Sequence, residues 1–102
     1  MSTAVQQTEI TSPTQSTWTQ IDGTPLTGRK YVKIINNDPS QSFGVIFQTS
    51  GTAPTSAWNT GEIILPNDKG DLEPCEGAVK CFIKTEKGSI VSGAGLIFRE
   101  YN

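Results

Sequence analysis

Cys75 and Cys81 have five residues between them, a separation compatible with a disulfide that closes a small loop. Free thiols are the favoured reading. Cys81 shares an alternating face with Val79 and Ile83, where a cysteine behaves as a small buried hydrophobe. The chain also starts without the basic residues and apolar core of an export signal, which makes a reducing cytosol the expected site of folding. Neither cysteine neighbours a histidine or a cationic cluster, so a reactive thiolate has no support. Asn67-Asp68-Lys69-Gly70-Asp71-Leu72-Glu73 places oxygen ligands around a glycine, as calcium loops do. Lys69 interrupts the Asp/Asn alternation and the distal bidentate Glu spacing is missing, so an acidic turn is the simpler explanation.

The two arginines, Arg29 and Arg99, have Glu62, Glu100 or a neighbouring chain as possible partners. An exposed pair of that kind contributes only about 0–1 kcal/mol. No two carboxylates stand out as the buried pair that acid–base hydrolysis requires. The chain contains no histidine, which excludes Ser-His-Asp and Cys-His machinery and leaves a tetrahedral zinc site dependent on carboxylates. Eight Lys plus Arg against ten Asp plus Glu give a net charge of −2 and no basic field for nucleic acid. No apolar stretch approaches the ~20 residues needed to cross a bilayer. The expectation is a non-enzymatic domain with no cofactor and no metal.

The elements that must position these residues are short. At 102 residues the chain fits one domain. Only 34% of residues are hydrophobic and 18% charged, with Ser, Thr, Asn, Gln, Gly and Pro supplying the remaining polarity. This composition suits turns and strands, not helices laced with Glu and Lys. Trp18 to Ile21 opens the domain, with Trp18 and Gln20 opposing Thr19 and Ile21, and Asp22-Gly23-Thr24-Pro25 reads as a turn. Arg29 to Asn36 is a strand with Val32 and Ile34 inward, closed by breakers from Asn36 to Ser40. Ser42 to Gln48 buries Phe43, Val45 and Phe47, and Gly44 marks a bulge or a close backbone approach. Residues 29–48 together read as a hairpin.

Further strands are expected at Gly61 to Leu65, Val79 to Lys84, Ser89 to Val91 and Leu96 to Tyr101. No run of twelve residues carries a helical period. The fold class is all-β, a small antiparallel β-sandwich or barrel at residues 18–102 with an extended N-terminal arm at 1–17. The arm is polar and Ile10 stands in it without periodic partners, so it lies outside the core as a frayed end or as a segment docking on a neighbour. Trp18 and Trp58 sit in Ser/Thr-rich surroundings. Each either lids an end of the core or offers a contact surface, a protein interface ahead of a sugar platform. The candidate contact residues are therefore Trp18, Trp58, Ile10 and Arg29.

From Thr24 onward the order of elements resembles a group of small virion proteins of tailed bacteriophages. The resemblance rests on Pro25-Leu26, Arg29, the apolar strand Val32 to Asn36, and Phe43 to Phe47. The Thr/Ser-rich stretch Thr49 to Thr60 and the Gly-led strand Gly61 to Leu65 complete it. It covers about residues 24–101 and is one of pattern; Cys75, Cys81 and the Arg99-Glu100-Tyr101-Asn102 ending fall outside it. What it implies is a β-sandwich located in the virion after assembly in the host cytoplasm. Such a protein decorates the capsid as a symmetric homo-oligomer, with the major capsid protein or other virion proteins as partners. A receptor- or glycan-binding module of a tail or fibre is the alternative.

Overall fold

The computed structural model describes residues 4–88 and 95–102. The described strands are β1 (Ala4–Glu9), β2 (Thr19–Gln20), β3 (Tyr31–Asn36), β4 (Phe43–Gln48), β5 (Glu62–Ile64), β6 (Glu73–Pro74), β7 (Lys80–Thr85) and β8 (Leu96–Tyr101). The strand expected at Ser89 to Val91 lies outside the described residues. Two four-stranded antiparallel sheets result, ordered β1-β8-β3-β6 and β2-β7-β4-β5. They pack as a sandwich, the all-β architecture expected from the alternating pattern.

Alternation explains the core. Val32 and Ile34 of β3, Phe43 and Val45 of β4, Cys81 and Ile83 of β7, and Leu96 and Phe98 of β8 point between the sheets and are buried together. Residues directly across a pair share a face: Ile34 opposes Phe98 in one sheet, and Val45 opposes Ile83 in the other. Full burial of each such side chain contributes about 1.5–3 kcal/mol. Both cysteines are buried and free, as the alternation of Cys81 with Val79 and Ile83 implied.

Residues 29–48 do not form a hairpin. β3 pairs with β6 and β8, whereas β4 pairs with β5 and β7 in the other sheet, so residues 37–42 arch from one layer to the next. The breakers that suggested a tight turn are the supports of that arch. The fully buried Asn36 side chain donates to the carbonyls of Gln41 (2.9 Å) and Leu65 (3.0 Å) and accepts from the Asp38 N–H (2.8 Å). The Asp38 carboxylate in turn accepts from the Ser40 hydroxyl and N–H, which holds it below the usual carboxylate range. A hairpin would leave this amide without its Leu65 partner, and a buried unpaired polar group costs about 1–3 kcal/mol.

The N-terminal segment also departs from expectation. Residues 4–9 form an edge strand against β8, with a register shift between Ala4 and Gln6. Ile10 follows, donating its N–H to the Leu96 carbonyl at 3.0 Å and burying its side chain in the core cluster. Pro13 is buried as well, and Thr14 accepts from the Thr85 N–H at 3.1 Å, so the chain crosses from the first sheet to the second. Residues 6–9 are exposed, which is why their polarity resembled a free arm. Backbone pairing with β8 holds this strand.

Candidate functional site

Three of the four candidate contact residues are built into the fold. Arg29 is enclosed beside the end of β8. Its guanidinium pairs with Asp22 Oδ2 and Glu100 Oε2, both at 3.0 Å. It also donates to the carbonyls of Cys75 (3.0 Å), Glu76 (2.9 Å) and Val79 (2.7 Å). The planar fork of five N–H donors suits this many acceptors. Burial opposes the charge, but the hydrogen bonds and fields of Glu100, Cys75 and Asp22 outweigh it and raise the Arg29 pKa. Glu100 points inward because it shares the parity of Leu96 and Phe98, and its second duty is to accept from the Leu26 N–H at 3.0 Å. Asp22, expected only as a turn residue, also accepts from the Cys81 N–H at 3.0 Å.

This cluster ties the residue 22–29 loop, β7 and β8 together, and it has no accessible face for a ligand. The neighbouring thiols are buried too. Burial pushes the Cys75 thiol up despite the nearby Arg29 charge, and pushes Cys81 up far more.

Trp18 is 4% exposed and donates its indole N–H to the Ser56 carbonyl at 2.8 Å. It fixes the residue 49–60 loop over the outer side of β4. Gly44 makes this cover possible: a Cβ there would sit 1.8 Å from the Trp58 carbonyl oxygen and 3.1 Å from Trp18. The close backbone approach foreseen at Gly44 is therefore present. Buried Trp18 acts as a lid and offers no ring face for stacking. Trp58, in a single 3₁₀ turn at Trp58–Thr60, stays half-buried and is the candidate that retains contact area.

An open cleft lies between the edge strands β5 and β6. Its volume is about 360 Å³, and it is floored by Ile34, Val45, Phe47 and Ile64 and rimmed by Glu62, Asp68, Asp71 and Glu73. Local geometry builds both walls. Glu62 opposes Val45 and Ile64 opposes Phe43, so both point inward, while Ile63 opposes Gly44 on the outside. The facing wall is residues 68–74, which run beside β3. Asn36 donates to the Asp68 carbonyl at 2.8 Å, and Gly70, at φ 73°, lies where a Cβ would come within 2.1 Å of the Ile34 oxygen.

Burial, with the Glu73 charge added to it, pushes the Glu62 carboxyl pKa up. Both ion pairs found among the described residues belong to Arg29, so none neutralises this rim. Lys69, the cation nearest in sequence, donates instead to Asn37 at 2.6 Å. The sequence alone places Asp68, Asp71 and Glu73 in an acidic turn and leaves Glu62 as one possible partner for either arginine. The one available signal was the parity of Glu62 with Ile64, a charge on the inward face of a strand. Among the described residues no group of three or more His, Cys, Asp or Glu is arranged to hold a metal ion.

Comparisons with protein-family models, with curated proteins and with solved structures find no match to this chain. The class that stands on the fold itself is a small all-β sandwich with an open, acid-rimmed cleft.

Proposed function

We propose that the chain is a non-enzymatic structural protein of a tailed-bacteriophage particle, a capsid decoration protein that binds the assembled shell as a symmetric oligomer. The observation that carries the reading is the apolar exposure at and beside β5 and β6. Ile63 is 46% exposed, Leu65 60% and Leu72 46%; Ile63 belongs to β5, Leu65 directly follows it and Leu72 directly precedes β6. Exposed apolar groups at edge strands suit a surface that is covered on assembly. The element order from Thr24 to Tyr101 supports the same reading. The docking role first assigned to the N-terminal arm moves here, because the arm's Ile10 is part of the core.

Quantitative mass spectrometry of purified particles from the source tests the proposal. Hundreds of copies per particle are expected. A handful would assign the chain to a tail, vertex or fibre, and none would overturn the reading.

A further inference from the structure

The β5 edge carries a specific two-residue code. Glu62 and Ile64 both face the cleft, and β5 pairs on one side only among the described residues, since it ends its sheet. A strand added to that edge places one inward side chain beside Glu62 and the next inward one beside Ile64. The first position meets an acidic rim, with Glu73 across the cleft, and favours a cation. The second lies beside Ile64, whose cross-strand neighbour is the core residue Phe43, and favours an aliphatic group. The volume of about 360 Å³ is at the small end of the ~300–1,000 Å³ typical of ligand pockets, enough for side chains but not for a folded element.

We propose that this cleft seats an extended segment of a partner protein whose inward residues are one basic and one aliphatic, two positions apart, with the basic residue beside Glu62. A second copy of the chain does not fit. Two-fold pairing through β5 would offer the cleft only the other copy's β5, which carries Glu62 and no cation. The cations Lys33 and Arg99 are register partners on the outer face of the other sheet, a broad surface that cannot enter a cleft. The inference deepens the decoration reading by naming the chemistry of the partner, and rests on it only for which particle protein supplies the segment.

The test is a titration of the full ¹⁵N-labelled chain with capped pentapeptides, followed by amide shifts. The probe is Thr-Lys-Thr-Val-Thr, and its reverse Thr-Val-Thr-Lys-Thr covers the opposite strand direction. The controls replace Lys by Glu or place Lys next to Val. Expected are saturable shifts at residues 61–64 and 68–73 for at least one probe, lost with Glu in place of Lys and weakened when the spacing changes. Glu62→Gln should weaken the probe roughly two- to fivefold, the effect of one partly exposed ion pair. Equal binding of the acidic control, shifts confined to other surfaces, or no shift at millimolar probe would each overturn the proposal. Shifts of the same residues on raising protein concentration without peptide would overturn it in favour of a second copy. The particle count is independent of this titration, so the failure of one reading is distinct from the failure of the other.

Discussion

Arg29→Met removes the one cation that compensates two buried carboxylates. Asp22 and Glu100 are each about 3% exposed, and both lie at 3.0 Å from the guanidinium. Methionine fills much of the volume but donates nothing, so two buried charges and the carbonyls of Cys75, Glu76 and Val79 lose their partner. Breaking a buried pair in this way costs about 3–5 kcal/mol. A domain of this size has only ~5–15 kcal/mol in total, so the loss is a large share of its stability. The expected fall in Tm is at least about 12 °C, at ~4–8 °C per kcal/mol.

Urea denaturation at pH 7, followed by the fluorescence of the buried Trp18, measures the effect. Arg29→Lys should lose less than Arg29→Met, because the ammonium keeps the charge facing Asp22 and Glu100, but more than nothing, because three donors replace five. Adding Asp22→Asn and Glu100→Gln to Arg29→Met should recover more than half of the loss. Those amide oxygens still accept from the Cys81 and Leu26 N–H groups, while the unpaired charge disappears. A loss under about 1 kcal/mol, or no recovery in the triple variant, would refute the reasoning.

Two further outcomes follow from single contacts. Gly44→Ala drives a methyl into the Trp58 backbone carbonyl, which cannot swing away as a side chain would; the expected loss is about 1–3 kcal/mol in the same denaturation assay, with the residue 49–60 loop displaced. For Glu62 the folded pKa is raised, so its ionisation weakens the fold as pH climbs through that value. Glu62→Gln should therefore raise stability slightly at pH 7, by less than about 1 kcal/mol for this exposed group, and the gain should vanish below the unfolded carboxylate pKa. A gain that persists or grows at acid pH would contradict this sign.

What the linear sequence determined is whatever follows from parity within one strand. The inward sets Val32/Ile34, Phe43/Val45 and Cys81/Ile83 were legible because side chains alternate with period two, and the burial of Cys81 followed from its parity. The close approach at Gly44 was legible too, because a missing side chain inside an apolar strand has few other uses. Which strands pair was not legible. The breakers at Asn36 to Ser40 suit a hairpin and an arch equally, and the choice rests on Asn36 finding Leu65, 29 residues away. Nor was the place of the first strand, whose exposed residues carry no pattern because its stability lies in backbone bonds to β8. Arg29 looked like a surface charge until Asp22 and Glu100, distant in sequence, closed around it. The acid-rimmed cleft exists only because two sheet edges end on the same side, a long-range arrangement that no local window of residues encodes.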